Sequence, residues 1–196
     1  MNIRRISGIL LGLALGACAT VDRKTEGWQE QAERRDFSAG GRLAVKAEGK
    51  GSYANFDWTY QNGVQTIDVN TPLGSTVGQL CQDAQGVLAV DGNGKVFSAA
   101  TPKELSERLL GYDLPVQYLD VWAAGQRVKG EPYRITADGK LQQSGWTISR
   151  QLNEKGMPRI LLLESSKLTL RLVFDTMQIL PAGGQAPSQC AARSAR

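Results

Sequence analysis

Apolar and polar residues alternate along most of the chain after residue 40, which is typical of β-strands with one buried face. In the segment SYANFDWTYQNGVQTIDVN, the side chains of Phe56, Trp58 and Tyr60 fall on one face and polar side chains fall on the other. The Asn62-Gly63 pair that follows is a strong signal for a tight hairpin. Similar short runs, separated by glycine-containing turns, lie on both sides of this segment. The pattern predicts a meander of about six antiparallel strands.

Helices are predicted to interrupt and precede these strands. Thr101 is a suitable N-cap, Pro102 suits the first helical position, Glu104 completes a capping box, and Gly111 ends the helix. A second short helix is expected in LPVQYLDVWAAGQ, where apolar residues recur at helical spacing. The polar stretch 25–35 is also compatible with a helix, pinned to the domain by its one tryptophan.

The alternation returns after the helices and continues to about residue 180. In KLTLRLVFD, the apolar residues Leu168, Leu170, Leu172 and Phe174 occupy every second position. An antiparallel sheet of about ten or eleven strands must curl, because open twisted sheets rarely stay flat at that size. The predicted fold is mainly β with some α: a single curved antiparallel sheet that forms an unclosed half-barrel, covered by about three helices over a hydrophobic cavity.

The first eighteen residues have the layout of an export signal. Arg4 and Arg5 are followed by an apolar run from Ile6 to Leu15 that is too short to span a bilayer, which needs ~20 residues. The run closes with the letters LGAC, which resemble a bacterial lipobox, in which the cysteine carries the lipid. Cys18 is therefore the predicted lipid attachment site. An ordinary cleaved signal with a chance cysteine is the alternative.

The residue after Cys18 bears on the destination of the protein. In the bacterial lipoproteins that the signal resembles, aspartate at that position favours retention in the inner membrane, and here it is Ala19. We therefore expect a lipid anchor in the outer membrane, facing the periplasm. The predicted organisation is a cleaved signal peptide at 1–17, a lipidated tether at 18–24, a half-barrel domain at 25–180, and a disordered tail at 181–196.

The formal net charge of +4 becomes smaller once Arg4 and Arg5 are removed with the signal peptide. No dense cluster of Lys and Arg remains, so nucleic acid is not an expected partner. The two other cysteines, Cys81 and Cys190, could pair in an oxidising compartment. Because Cys190 lies in a tail rich in Gly, Ala and Ser, the sequence leaves that pairing open.

The chain contains no histidine. That excludes the Ser-His-Asp triad, the Cys-His pair and zinc sites built on histidine. The aspartates lie scattered at predicted strand ends, where a solvated carboxylate is the default, so a glycosidase pair is not indicated. The sequence predicts no enzyme, no metal site and no cofactor.

The loop letters NTPLGST are unusual because a turn between strands should be polar. Pro72 restricts the backbone, Gly74 permits a sharp reversal, and Leu73 lies between them at the tip. The pattern alone also fits a leucine that folds back into the core.

Three stretches together carry a family resemblance: NFDWTYQNGVQTIDVNTPLGST, KELSERLLGYDLPVQYLDVWAAG and GWTISR. With the lipobox, they are similar in content and order to the LolB family of outer-membrane lipoprotein receptors. Asp57 interrupts the aromatic-rich strand, and the proline-containing tail has no counterpart in the family. The role of the C-terminus therefore stays open.

The resemblance implies a function as well as a fold. LolB receptors accept lipoproteins from the periplasmic carrier LolA and insert them into the outer membrane, with the leucine of the Pro-Leu-Gly loop protruding and the tryptophan of the preceding strand lining a cavity. These features correspond to a membrane-insertion loop of Pro72, Leu73 and Gly74, and to Trp58. With alternating positions on the same face, the predicted acyl-chain lining is Phe56, Trp58, Ile67, Leu170 and Leu172.

The implied partners are a LolA-like carrier, lipoprotein cargo and outer-membrane lipid, and the protein is expected to be a monomer. The competing interpretation is a structural or assembly lipoprotein of the outer membrane, whose concave sheet binds a protein. A deep apolar cavity would favour lipid, and a shallow polar groove would favour a protein partner.

Overall fold

The structure, a computed structural model, describes residues 27–181 and 188–194. The predicted signal peptide at 1–17, Cys18, the tether at 18–24 and the remaining tail residues lie outside the described residues. The strands are β1 (Gln29–Glu30), β2 (Phe37–Ala47), β3 (Lys50–Gln61), β4 (Val64–Asn70), β5 (Thr76–Asp83), β6 (Gly86–Asp91), β7 (Val96–Ala99), β8 (Gln126–Arg127), β9 (Tyr133–Ile135), β10 (Leu141–Gln143), β11 (Trp146–Leu152), β12 (Pro158–Glu164) and β13 (Leu168–Ile179). The α-helices are α1 (Pro102–Leu110), α2 (Leu119–Ala123) and α3 (Ala191–Ser194), with a 3₁₀ turn at Val116–Tyr118 before α2.

Eleven of these strands form one antiparallel sheet in the order β7-β6-β5-β4-β3-β2-β13-β12-β11-β10-β9. The two outer strands do not pair with each other, so the sheet is not closed. The predicted meander is confirmed as β2 to β7, with its tight hairpin at Asn62-Gly63. Strand β13 pairs with β2 and thereby joins the meander to the strands that follow the helices. The predicted fold class, one unclosed antiparallel sheet with few helices, is confirmed.

The predicted helix at 25–35 is wrong over its described part. Gln29 and Glu30 form a short strand that pairs in parallel with β8, and the Gln29 N–H donates to the carbonyl oxygen of Gly125 at 3.0 Å. Trp28 does pin the segment, because its indole N–H donates to the carbonyl oxygen of Gly139 at 3.0 Å. A short polar helix has little intrinsic stability, so backbone partners offered by the domain decide the conformation.

One core fills the inner face of the sheet, defined here as the face that carries Phe56 and Trp58. Strands β2, β3 and β10 to β13 contribute apolar side chains to it, and α2 contributes the fully buried Trp122. The Trp122 indole N–H donates to the Gln143 side-chain oxygen at 3.1 Å, which satisfies a polar atom that burial would otherwise leave unpaired. The sheet therefore wraps around α2 rather than lying flat beneath it.

Helix α1 begins and ends as the sequence predicts. The Thr101 hydroxyl accepts a hydrogen bond from the Glu104 N–H at 3.2 Å, and Gly111 ends the helix in the left-handed region with φ 79°. Leu105 is buried against β6 and β7, whereas Leu109, which shares its face, is partly exposed. The Arg108 side chain donates to the carbonyl oxygen of Ser98, so α1 also covers β7, one of the two edges of the sheet.

The C-terminal tail, predicted to be disordered, is ordered over its described residues 188–194. Cys190 forms a disulfide with Cys81, with 5.8 Å between their Cα atoms. Both cysteines are buried with Val64 and Leu88 in a second apolar cluster on the outer face of the sheet. The composition of the tail, rich in Gly, Ala and Ser, predicts disorder. It does not reveal the disulfide partner in β5, which lies 109 residues earlier in the chain.

A buried carboxylate strengthens this attachment. Asp83 accepts hydrogen bonds from the Nε and Nη2 groups of Arg193, at 2.7 and 2.8 Å, and from the Cys190 N–H at 2.8 Å. Burial opposes the charge on Asp83, but the hydrogen bonds from Arg193, Cys190 and Gln85 outweigh it and hold the pKa of Asp83 below its usual range. Since the folded pKa is depressed, the stabilisation is present above the unfolded pKa of ~3.9 and is lost as the pH falls through the folded value.

We predict that Arg193→Ala lowers the free energy of unfolding by about 1–3 kcal/mol at pH 7, because the Asp83 carboxylate loses its charged donor. The deficit should stay constant near neutral pH and shrink as the pH falls below ~3.9 and through the depressed folded pKa of Asp83, because the carboxylate is then protonated and loses its charge-assisted bonds to Arg193. Urea denaturation at several pH values measures this. Arg42→Ala is the matched control, because its ion pair with Asp175 is exposed and should contribute little. An equal Arg193→Ala deficit at every pH would contradict the account.

Candidate functional site

An apolar hollow of about 310 Å³ lies between α1 and the inner face of β4 to β7. The sheet contributes aliphatic and aromatic side chains, the helix contributes one leucine face, and the segment after the helix closes the inner end. The lining includes Val69, Leu80, Ala89, Val90, Phe97, Leu105, Leu109, Leu114 and Val116. Its size lies at the small end of the ~300–1,000 Å³ range of ligand pockets, and its lining suits an alkyl chain.

The hollow opens at one end of the sheet, which we call the mouth. Three apolar side chains at the mouth are left partly in water: Val77 and Leu110, each 48% exposed, and Leu109. All three also line the hollow. A wider polar depression lined by the β2–β3 and β12–β13 turns lies on the other side of Leu110. The C-terminal end of α1 therefore separates an apolar space from a polar one.

The loop between β4 and β5 lies at this same end. The Thr71 N–H donates to the carbonyl oxygen of Ser75 at 2.8 Å, and the Gly74 N–H donates to the carbonyl oxygen of Thr71 at 2.9 Å. The Thr71 hydroxyl accepts a further bond from the Ser75 N–H at 3.1 Å. Gly74 has φ 91°, a conformation that L side chains adopt at a cost. These bonds fix the shape of the loop tip.

Leu73 is 96% exposed, the largest exposed fraction among the large apolar side chains of the described residues. The alternative in which it folds back into the core is thereby excluded. Pro72 and Gly74 are exposed beside it. A fully solvated leucine on a hydrogen-bonded loop gains nothing for the fold, and a surface of this kind is typical of interaction sites.

The five predicted lining residues lie apart from the hollow. Phe56 and Trp58 are only 2% and 1% exposed, and aromatic contacts fill the space around them: Phe56 meets Phe174 edge-on at 5.7 Å between ring centroids, and Trp58 meets Phe37 at 5.1 Å. Leu170 and Leu172 are buried in the same core, and Ile67 packs at its border. These side chains therefore form packed core in this structure, and their contact with acyl chains stays a prediction.

Sequence reasoning missed the residues that line the hollow itself. The strands β5 to β7 were predicted, and their alternation places Leu80 and Ala89 on the face opposite Cys81 and Leu88. The missing information was the position of α1, because the sequence does not show which part of a long sheet a helix covers. The shared helical face of Leu105 and Leu109 was the available signal.

Comparison with known proteins identifies the family. The family described as "Outer membrane lipoprotein LolB" matches residues 35–176. The chain belongs to the LolB family. The resemblance inferred from the stretch that contains the Pro-Leu-Gly loop, the two motifs that follow it and the lipobox is thus confirmed.

Two LolB relatives match nearly the whole chain. The outer-membrane lipoprotein LolB of Neisseria meningitidis serogroup A is 54% identical over 182 residues, covering 92% of this chain and 94% of that protein. The LolB protein of Chromobacterium violaceum is 32% identical, covering 90% and 99%. Among solved structures, a LolA superfamily protein from Nitrosomonas europaea has a TM-score of 0.43 at 7% identity, covering 77% of this chain and 89% of that one.

We predict that Ala89→Phe weakens binding of a fluorescent long-chain fatty acid by about tenfold or more, because the added ring occupies space in the hollow. Fluorescence titration measures the affinity. Ala84→Phe, in the exposed β5–β6 turn, is the matched control and should bind as the parent does. Unchanged affinity in a folded Ala89→Phe variant would show that the hollow does not hold the chain.

Proposed function

We propose that this protein is an outer-membrane-anchored receptor that accepts lipoproteins from a LolA-like periplasmic carrier and inserts them into the outer membrane. The observation that carries the proposal is the position of a 96% exposed leucine at the end of the sheet where an apolar hollow opens. Membership of the LolB family of outer membrane lipoproteins supports it.

The physical problem is the transfer of hydrocarbon through water. At ~0.8 kcal/mol per methylene, exposing one long acyl chain costs on the order of 10 kcal/mol. A receptor must therefore present an apolar surface before the carrier releases the chain. The hollow offers shape-tolerant contacts through leucine, valine and phenylalanine side chains, so it suits cargo proteins of different sequence. The proposal requires no catalytic step.

A row of paired side chains on the inner face connects the hollow to the predicted acyl-chain lining. Leu80 lines the hollow and pairs with Ile67, which in turn pairs with Trp58 on β3. These three side chains are neighbours on the inner face because directly paired residues share a face of the sheet. Acyl chains that extend beyond the hollow would meet Ile67 and Trp58, and then Phe56, Leu170 and Leu172, which is how the predicted lining would participate.

The loop at the mouth performs the second half of the task. Once cargo has entered, Leu73 inserts into the lipid surface and gains ~1.5–3 kcal/mol by leaving water. Its hydrogen-bonded loop cannot fold away, so insertion of the leucine brings the mouth against the membrane. The cargo chains then leave the hollow directly into hydrocarbon.

Anchoring keeps the receptor at its site of action. We propose that Cys18 carries the lipid, that the signal peptide at 1–17 is removed, and that the domain faces the periplasm as a monomer. A terminus with more than one acyl chain would remain in the membrane. In the described residues, no helix is sufficiently long and apolar to cross a bilayer.

The structural or assembly lipoprotein stays as the competing function. In that case the sheet would present a polar groove to a protein partner. The lining of the hollow is mostly aliphatic and aromatic, which favours lipid over a protein surface.

We predict that Leu73→Glu still takes cargo from a loaded carrier but deposits it into vesicles at least ~10-fold more slowly, since the loop loses its ~1.5–3 kcal/mol of insertion energy and gains a charge. Receptor–cargo complexes measure acceptance, and recovery of cargo with the vesicles measures deposition.

Tyr133→Glu is the control for adding a charge at an exposed apolar side chain, since Tyr133 lies on β9 at the far edge of the sheet and is 49% exposed. It should accept and deposit as the parent does. Deposition by Leu73→Glu at the parental rate would refute the role of the loop. Failure of the parent to accept cargo would refute the receptor function.

A further inference from the structure

Five turns of the sheet lie at the mouth end: the β10–β11 turn is the one farthest from Leu73, and the other four are the Leu73 loop and its three nearest neighbours. The register pairs Asn55 near the start of β3 with Asn70 at the end of β4, so the β2–β3 turn lies at the same end as the Leu73 loop. Antiparallel pairing places the β6–β7 turn and the β12–β13 turn at this end as well. Neighbouring strands are ~4.8 Å apart, so successive turns are separated by roughly 10 Å across the sheet, and the β2–β3 turn also extends further along the strand direction, because β3 begins at Lys50 and first pairs with β4 at Asn55.

Each of the three turns nearest the Leu73 loop carries an exposed lysine. Lys50 is the first residue of β3, Lys95 lies between β6 and β7, and Lys167 lies between β12 and β13. Among the described residues, none of the three forms an ion pair. The Lys95 ammonium lies 4.9 Å from the ring centroid of Phe97, which lines the hollow. Lys46, near the end of β2, adds a fourth exposed ammonium group.

The carboxylates at this end are partly occupied, and Glu107 and Asp113, which line the depression beside Lys167, both pair with Lys103. Asp91 accepts hydrogen bonds from the N–H groups of Asn93 and Lys95, both at 2.9 Å, so its carboxylate stabilises the β6–β7 turn. Glu164 interacts electrostatically with Lys140. Glu48, in the β2–β3 turn, is the remaining acid among the described residues of these turns. The turns around Leu73 therefore present an excess of positive charge.

We propose that the turn lysines Lys50, Lys95 and Lys167 bind anionic phospholipid headgroups when Leu73 enters the bilayer. The inference rests on the proposed function and adds the lipid class that the mouth recognises. A leucine in the hydrocarbon brings its neighbouring turns to the level of the headgroups. Lysine stems are long enough to place the ammonium group beside a phosphate while the methylenes contact the interface.

A membrane explains this arrangement better than an acidic protein surface does. The cations lie on both sides of an apolar side chain that is almost wholly in water, and a basic rim around an apolar protrusion matches an anionic bilayer surface. At physiological salt the screening length is about 8 Å, similar to the spacing of the turns. Each lysine therefore acts mainly on the headgroups directly beneath it.

The test uses the full lipidated protein in vesicles of phosphatidylcholine, with or without phosphatidylglycerol, and follows the rate at which a loaded carrier delivers cargo to the vesicles. The parent should deliver ~10-fold faster when phosphatidylglycerol is present, and higher salt should reduce the difference. Lys50→Ser combined with Lys95→Ser and Lys167→Ser should lose this stimulation and keep the rate seen in phosphatidylcholine.

The matched control removes three exposed cations from the opposite end of the sheet, through Arg35→Ser, Lys155→Ser and Arg159→Ser. It should keep the stimulation. If the triple lysine variant does not fold, the three single variants replace it, and each should lose about twofold of the ~10-fold phosphatidylglycerol stimulation.

Three results would overturn the inference. Equal stimulation of the lysine variant and the parent would remove the lysines from lipid recognition. Slower acceptance of cargo from the carrier, with phosphatidylglycerol stimulation intact, would assign the lysines to an acidic carrier surface. Loss of stimulation in the control variant would indicate a general charge effect. Leu73→Glu separates the two proposals, since it should fail in both kinds of vesicle whatever the lysines do.

Discussion

The pairing of β13 with β2 is the contact on which the rest of the structure depends. Without it the chain would form two separate sheets, the meander β2 to β7 and the later strands β9 to β13, and neither would have a continuous inner face. The pairing bends at a register shift between Phe174 and Thr176, opposite Gly41. A Cβ at Gly41 would collide with the carbonyl oxygen of Val173, so the bend requires glycine there. The joined sheet can then wrap around α2.

The two halves of that sheet are stabilised differently. The half around α2 is packed with aromatic and leucine side chains. The half formed by β4 to β7 is covered by α1 on its inner face, where the hollow leaves space, and by the C-terminal tail on its outer face. The Cys81–Cys190 disulfide and the Asp83–Arg193 ion pair therefore support the wall of the hollow from behind. These contacts stabilise β4 to β7 from the outer face, where the inner face next to the hollow lacks the close packing of the other half.

Local patterns predicted the elements well and long-range placement poorly. The alternation around Phe56 and Trp58, the hairpin at Asn62-Gly63 and the cap at Thr101 all depend on nearby residues, and the structure confirms them. The stretch at 27–35 and the tail at Cys190 take their conformation from partners far along the chain, so composition misled in both places. The exposure of Leu73 was open from pattern alone, and the family resemblance pointed to the correct alternative.

In the candidate site, too, local features were predictable from the sequence and long-range placement was not. The sequence correctly identified an apolar inner face and a stiff loop, since both follow from period-two alternation and from Pro72 and Gly74. Its predicted lining around Trp58 is packed with aromatic rings in this structure, and contact of these residues with acyl chains stays a prediction. Free volume depends on where the covering helices lie, and no residue pattern within one strand reports that. The hollow instead lies one sheet segment away, beneath Leu105.

The central claim is that acyl chains occupy the hollow between α1 and β4 to β7. Its most direct test is photo-crosslinking from a diazirine amino acid at position 89, inside the hollow, to lipoprotein cargo delivered by a loaded carrier, with position 124 on the exposed end of α2 as the reference. The account predicts crosslinks from position 89 that map to the acyl chains of the cargo, and none from position 124. Crosslinks from position 89 to the polypeptide part of the cargo alone, or no crosslinks while cargo is still transferred, would contradict it.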